Sequence, residues 1–411
     1  MAVGAGVVIV GAGLGGVRLA ENLRQAGYPD AVTLIGKEPH VPYDRPPLSK
    51  AVLRGERGPV ELKPRDWYDE NHIALLLDTE VTGVDLEGRS VSVGSGETIA
   101  FETLVLATGL DPRFLPDDVL DGQDADSVAD LRGVHVVRTA DDVSALRADL
   151  TDGARAVVVG AGFIGCETAA SLSTLGAAVT IVEPAPSVLN AALGATIGAR
   201  VEKLHTDRGV TVRTGVGVSG LTVSDGAVSG VVLDGGETLD ADLVVIGIGS
   251  IPTTALAESL GLTLADRSVG GGISCDARGL TSAPGVYALG DVANWADEAG
   301  EFGRRVEHWN HTVEQAKILA DVIAGTEKAA TAPVVHYFWT DQFDVKIQCL
   351  GTPSADDEVH VVDEDGDKFL AYFSRDGKLT GVVGGGRAGA VMKMRPTVAQ
   401  APPIADLLDR S

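Results

Sequence analysis

Twice in this chain a run of aliphatic residues falls into a glycine turn and then into a helix-forming segment: VVIVGAGLGG (residues 7–16) and VVVGAGFIGCE (residues 157–167). The glycines recur as G-x-G-x-x-G, at Gly11, Gly13 and Gly16 and again at Gly160, Gly162 and Gly165. In such a turn the first glycine permits a tight bend, the second lets backbone N–H groups approach a pyrophosphate, and the third lets helix and strand pack closely. The following helix directs its positive end at the phosphates. Both copies follow a valine-rich strand and precede a helix, the context that gives the motif its meaning. Two dinucleotide sites are implied, and with them two parallel, helix-flanked sheets.

The repeat extends beyond the turns. From Gly11 to Gly109, and from Gly160 to Gly249, the chain runs fingerprint, helix, acidic strand end, then an apolar strand closed by glycine. LVLATG, holding Ala107, Thr108 and Gly109, and LVVIGIG, ending at Gly249, are the two closing strands. The acidic strand ends are candidates for the ribose hydroxyls: Glu183 lies 23 residues beyond Gly160, and Glu38, preceded by Lys37, serves the first copy. No arginine follows Glu183 in PAPSVLN to receive a 2′-phosphate, so the second site is expected to prefer NADH over NADPH.

The expected fold class is α/β, with two Rossmann-like dinucleotide-binding domains plus a small α+β C-terminal domain. Residues 1–115 and 246–326 would form the first dinucleotide-binding domain, 116–245 the second, and 327–411 the C-terminal domain. The three prolines of HVPYDRPPLSK (40–50) argue against regular structure there. A helical period runs over Glu314–Ile323, GTEKAATAP (325–333) reads as a linker, and Asp363-x-Asp365-Gly366 reads as a hairpin turn. Its glycine comes too early for a calcium loop and no glutamate closes it.

At 411 residues the chain exceeds one ordinary core. A net charge of −25 excludes nucleic acid and anionic membranes as main partners. Cys166, Cys275 and Cys349 are scattered and form no C-x-x-C, as suits a reducing cytoplasm. Residues 1–17 carry no charge, but six glycines and no basic segment argue against a signal peptide. No apolar run reaches the ~18 residues of a membrane helix. His308 and His311, with Glu307 and Glu314 nearby, mimic a metal site, but helical spacing alone produces such pairs; no metal is expected.

GAGLGG, PYDRPPLSK, LVLATG, GAGFIGCE, GVYALGDVA, VEHWNHTVEQAK and FWTDQFDVKIQ stand in that order. This series resembles the FAD-dependent, NADH-using ferredoxin reductases of oxygenase systems, a putidaredoxin reductase-like branch of the two-dinucleotide-fold flavoproteins. The resemblance covers the chain to about residue 350, and PPLSK and FWTDQ are its more specific parts. It implies FAD in the first cradle and NADH in the second. NADH would give two electrons together, and they would leave singly to a 2Fe-2S ferredoxin feeding a haem-thiolate monooxygenase or a ring-hydroxylating dioxygenase. Related enzymes that reduce disulfides carry a cysteine near the flavin, whereas this chain has none before Cys166. A rubredoxin or monodehydroascorbate-type reductase and a redox-sensing flavoprotein of the apoptosis-inducing type are the competing functions.

Residue by residue, the resemblance places FAD on Gly11, Gly13, Leu14, Gly15 and Gly16, with Lys37 or Glu38 at the adenosine ribose. Val81 would meet the adenine through its backbone, Arg138 the pyrophosphate or ribose, and Arg45, Ala107, Thr108 and Gly109 would also contact the cofactor. Gly290 and Asp291 would hold the ribityl chain. His308 and Trp309 would begin a helix aimed at the flavin pyrimidine edge, and Trp339 would lie by the flavin. NADH would meet Gly160, Gly162, Phe163, Ile164, Gly165, Glu183 and Gly249. Lys50, paired with Glu167, is the catalytic candidate, its ammonium near flavin N5. Its plain alternative is a surface lysine. Arg138, Val81 and Trp339 could equally be structural. An acidic ferredoxin needs a local basic patch, for which Arg304, Arg305, Arg387, Lys393 and Arg395 are candidates. The sequence is compatible with a monomer or a homodimer.

Overall fold

A computed structural model describes residues 5–326 and 335–409. By internal contact these residues gather into two units: 5–44, 60–111 and 251–326 form the first, and 45–59, 112–250 and 335–409 the second.

In the first unit a five-stranded parallel sheet runs in the order Val286–Ala288, Thr103–Leu106, Gly6–Val10, Ala31–Ile35, Ile73–Leu76. The central strand, GVVIV, is buried along its whole length, because helices cover one face and a meander the other. Helices Leu14–Gln25 and Trp309–Ala324 pack Val17, Leu19, Leu23, Ala316 and Leu319 against Ile9 and Leu34. Each such buried valine, leucine or isoleucine stabilises the fold by about 1.5–3 kcal/mol. The meander Val81–Asp85, Ser90–Val93, Thr98–Ala100 supplies Val91, Val93 and Ile99 to the opposite face, against Val8 and Leu104. Val10 stands opposite both Ile35 and Leu106, so Gly11, Gly36 and Ala107 leave the sheet at one edge.

The second unit repeats this plan. Its parallel sheet runs Val134–His135, Leu243–Ile246, Arg155–Val159, Ala178–Glu183, Thr211–Thr214. The fingerprint strand again lies between the strand with the acidic end and the strand closed by glycine. The meander is repeated too, as Val218–Ser224, Ala227–Leu233, Thr238–Asp240. Residues 337–385 form a five-stranded antiparallel sheet, followed by three short helices that begin at Ala388, Arg395 and Ala405. Strands Glu358–Asp365 and Lys368–Arg375 close through the DEDGDK turn, with Asp365 opposite Lys368.

Two expectations change. The proline-rich stretch is more regular than its prolines suggest: Tyr43–Asp44 pairs with Val60–Glu61, and Leu48–Val52 is a wide helical turn. Pro47, at φ −69°, is already helical, and a proline costs nothing where a helix starts because its N–H would be unpaired anyway. The helix expected over 314–323 runs from Trp309 to Ala324 and ends at Gly325 in the left-handed conformation. Of the linker at 325–333, residues 327–333 lie outside the described residues. Among those described, no helix is long and apolar enough to cross a membrane.

Candidate active site

The three glycines of the first turn do different work. A Cβ on Gly11 would lie 2.1 Å from the Ala107 carbonyl oxygen, and one on Gly16 would lie 2.1 Å from that of Gly11. Packing therefore explains both. A Cβ on Gly13 would meet no heavy atom within 4 Å, so nothing in the protein requires glycine there. Helix Leu14–Gln25 starts at Gly13 with no side-chain cap and no acidic residue in its first turn, leaving the positive end uncompensated. Gly15 lets Leu289 and Thr312 approach, at 2.9 and 3.3 Å from where its Cβ would stand.

Around this turn, Lys37 points outward, 76% exposed, and pairs with Glu80 at 2.9 Å. Glu38 accepts a hydrogen bond from the Tyr43 hydroxyl. Thr108 donates to the Thr253 carbonyl at 2.8 Å, fixing the loop after the closing strand. Val81 opens its strand opposite Val93.

Gly290 and Asp291 follow the strand Val286–Ala288 and are held by the helix Trp309–Ala324. The Gly290 N–H donates to Gln315 Oε1 at 2.8 Å, and the Thr312 hydroxyl to Asp291 Oδ1 at 3.5 Å. His308 is the residue before that helix, and the Trp309 indole N–H donates to Asp44 Oδ1 at 2.9 Å. Arg305 is no surface patch residue: its side chain is 4% exposed and pairs with Glu307 at 2.7 Å. It donates to the carbonyls of Asp291 and Gly270, because the loop needs a buried donor to satisfy them. Among the described residues no group of three or more His, Cys, Asp or Glu could hold a metal ion.

In the second unit the same pattern recurs. Cβ atoms on Gly160 and Gly165 would lie 2.5 and 2.0 Å from backbone oxygens of Gly247 and Gly160. A Cβ on Gly162 would come no nearer than 4.0 Å to anything. Helix Phe163–Thr174 also starts without a side-chain cap or an early acid. Glu183 reaches back to the turn, accepting from the N–H of Ala161 at 2.7 Å and of Ala185 at 2.8 Å. Ile164 is 44% exposed in the first helical turn, and Phe163 packs on Phe338 with ring centroids 5.1 Å apart. At Gly249 a Cβ would meet nothing within 4 Å. Both second glycines thus face open space beside an uncapped helix start, which fits a pyrophosphate at each turn.

Lys50 sits in the wide turn with non-helical dihedrals, φ −123° and ψ −110°. Its ammonium lies 2.9 Å from Glu167 Oε2, 3.9 Å from Asp341 Oδ2 and 3.0 Å from the Pro46 carbonyl oxygen. Glu167 is buried, its side chain 3% exposed, on the fingerprint helix. It also accepts from the hydroxyls of Ser49 and Thr340, each at 2.6 Å, and from the Asp341 N–H at 3.3 Å. An ammonium and three further donors satisfy it as the anion. The Ser171 hydroxyl donates to the Ser49 carbonyl at 2.7 Å, tying the turn to the same helix.

Arg45 donates to the Arg138 carbonyl, and Asp142 Oδ2 accepts the Arg138 N–H at 3.0 Å. Trp339 stacks on Tyr337 with centroids 5.9 Å apart. Arg387 pairs with Asp363 at 2.8 Å, and Arg395 donates to the Val335 carbonyl at 3.2 Å. Burial raises the thiols of Cys166 and Cys349 and pushes that of Cys275 up to about 12.

Ser49, Thr312, Gln315, Thr340, Asp341 and Gln342 were not singled out from the sequence. A signal existed for some: FWTDQ alternates on its strand, so Thr340 and Gln342 share the buried side. Thr312 and Gln315 are three apart and share one helix face.

A family model described as Pyridine nucleotide-disulphide oxidoreductase matches residues 5–316, and one described as Reductase C-terminal matches residues 337–410. The chain is 36% identical to a ferredoxin–NAD(P)(+) reductase of Sphingomonas sp, over 91% of this chain and 87% of that one. It is 39% identical to the ferredoxin–NAD(+) reductase subunit of a benzene 1,2-dioxygenase system of Pseudomonas putida, over 84% and 80%. Among solved structures, the ferredoxin reductase for the CYP199A2 system of Rhodopseudomonas palustris superposes with a TM-score of 0.86 at 35% identity, covering 95% of this chain and 93% of that one. Putidaredoxin reductase, in covalent complex with putidaredoxin, gives 0.88 at 30% identity, covering 97% and 94%.

Proposed function

The chain belongs to the pyridine nucleotide-disulphide oxidoreductase family, whose members use a flavin and a pyridine nucleotide, and we propose that it is an FAD-dependent NADH:ferredoxin reductase. Its acceptor would be a 2Fe-2S ferredoxin serving a monooxygenase or dioxygenase, as the names of its relatives suggest for them. One observation carries the reading: two glycine turns whose second glycine no packing explains, each at an uncapped helix start. Residues 1–115 and 246–326 are assigned to FAD binding, 116–245 to NADH binding and 327–411 to the C-terminal domain. Three unpaired, buried cysteines suit a cytoplasmic location.

FAD, when bound, supplies the conversion between two-electron and one-electron transfer that the protein side chains cannot perform. The first-turn N–H groups of Leu14, Gly15 and Gly16 would hold its pyrophosphate, and Asp291, fixed by Thr312, would accept from its polyol. Glu38 lies nearer than Lys37 to what a ribose needs, because the lysine is turned out to Glu80. At the second turn Glu183 presents a carboxylate for ribose hydroxyls, which supports NADH over NADPH. Lys50 and Glu167 would orient the nicotinamide and compensate charge there.

The test is steady-state cytochrome c reduction by the purified, FAD-loaded protein with NADH, with and without a 2Fe-2S ferredoxin. Acceleration by ferredoxin, with kcat/KM for NADH well above that for NADPH, is expected. NADH:ferricyanide activity accompanied by cytochrome c reduction that no 2Fe-2S ferredoxin accelerates would overturn the ferredoxin assignment.

A further inference from the structure

Glu167 is the end point of a buried chain of side chains that reaches into two other elements. Its Oε1 accepts the Thr340 hydroxyl at 2.6 Å. Thr340 Oγ1 accepts from Gln342 Nε2 at 2.7 Å, and Gln342 Oε1 faces His205 Nε2 at 3.0 Å. Thr340, Gln342 and His205 are all fully buried. The helix Phe163–Thr174, the first strand of the C-terminal sheet and the helix Asn190–Thr206 are joined this way.

The direction of every proton in this chain follows from its end. An ionised carboxylate only accepts, so Thr340 must donate to Glu167. The Thr340 oxygen must then accept from Gln342, whose amide nitrogen therefore faces it. The Gln342 oxygen is left facing His205, which must donate through Nε2. Burial pushes the His205 imidazole down to about 4, so at neutral pH it carries a single proton and serves as a neutral donor. Its Nδ1 has no hydrogen-bond partner among the described residues, as this tautomer allows. All three hydrogen bonds point the same way and polarise one another.

We propose that Thr340, Gln342 and His205 are positioning residues that hold the Glu167 carboxylate in place for Lys50. The C-terminal sheet thereby becomes part of the Lys50 site. With Ser49 held on Oε2 and Thr340 on Oε1, both oxygens of Glu167 are fixed and its carboxylate plane cannot turn from the ammonium. The consequence for hydride transfer rests on the proposed reductase function; the effect on Lys50 itself does not.

Two readouts separate the levels. In the first, lysines of the flavin-loaded protein are acetylated competitively with acetic anhydride, and the Lys50 peptide is quantified by mass spectrometry. Wild-type Lys50, with 13% of its side chain exposed and ion-paired, should label slowly. Thr340→Val should raise its labelling about threefold or more, Thr340→Ser should restore it, and Gln342→Met should give an intermediate rise. Glu167→Gln should raise it too, and adding Thr340→Val to Glu167→Gln should add nothing, since Thr340 acts through the carboxylate. In the second, flavin bleaching by NADH is followed anaerobically in a stopped-flow instrument. Thr340→Val should lower the limiting rate about tenfold with NADH affinity within twofold of wild type, and Thr340→Ser should restore the rate.

Unchanged Lys50 labelling in Thr340→Val, or multiplicative effects in the double variant, overturns the positioning role. If Thr340→Val does not accumulate as folded protein, Gln342→Met decides the matter one link further out, and wild-type labelling in it also overturns the proposal. A wild-type protein whose flavin NADH does not bleach would instead defeat the reductase reading and leave the labelling result standing by itself.

Discussion

Gly162→Ala and Gly165→Ala each add one methyl group, at positions three residues apart, yet the structure gives them opposite fates. At Gly165 the new Cβ would lie 2.0 Å from the Gly160 carbonyl oxygen, and ordinary contact begins near 3.4 Å. Both atoms are tied to backbone, so the helix would have to lift from its strand by more than 1 Å. Overpacking of this kind costs about 1–3 kcal/mol, and here no side-chain rotation can relieve it. At Gly162 the nearest atom would be 4.0 Å away and φ is −73°, a value any residue adopts. Losing a glycine cap costs a few tenths of a kcal/mol to about 1, offset by about 0.4–1 from the stiffer unfolded chain, so the net change is near zero. What Gly162→Ala should cost is NADH: a methyl where pyrophosphate oxygens approach the N–H groups should weaken binding about tenfold or more, roughly 1.4 kcal/mol. Calorimetric titration with NADH, beside thermal melting by circular dichroism, reads both quantities. Wild-type melting with weakened NADH binding is expected for Gly162→Ala, and a lowered melting temperature for Gly165→Ala. If Gly162→Ala bound NADH as tightly as the wild type, the open space beside it would not be a phosphate site.

Lys50→Met should lower the limiting rate of flavin reduction by NADH about tenfold or more in stopped-flow, and should destabilise the protein, because Glu167 would be left buried without its ammonium. An unchanged rate would remove Lys50 from the site. Glu183→Gln should weaken NADH binding severalfold while leaving NADPH binding almost unmoved, as read by fluorescence titration. Burial depresses the His205 imidazole to about 4, below the ~6.5 of an unfolded histidine. Its contribution to stability is thus complete above pH 6.5 and lost as pH falls toward 4. His205→Asn, which cannot titrate, should lose less melting temperature across that window than the wild type. Parallel declines would mean that other groups govern acid stability.

Much of the fold could be read from the chain because its signals are local. Valine runs ending in glycine define the central strands, and the recurring order of turn, acid and closing strand fixes their places in each sheet. The hairpin turn at Asp363-x-Asp365-Gly366 likewise falls where its turn residues put it. PPLSK was harder: its prolines suggested a loop, whereas Pro47 starts a helical turn, because the same residue that breaks a helix interior suits its first turn. Charge alone misled at Arg305, which is buried against carbonyls rather than presented to solvent. The sequence drew attention to Lys50, Glu167 and Trp339, but not to the residues that hold Glu167. Thr340 and Gln342 are neighbours on one strand, but Thr340 meets Glu167 and Gln342 meets His205 across separations of more than a hundred residues, and no spacing rule reports a contact of that kind.

The most direct test is spectroscopic. Purified with added FAD and freed of excess by gel filtration, the protein should retain stoichiometric yellow flavin, released on denaturation as FAD, and one equivalent of NADH under anaerobic conditions should bleach its visible band within seconds. A folded protein that stays colourless after incubation with FAD, or whose flavin band NADH leaves intact, would contradict the reading of both glycine turns as working nucleotide sites.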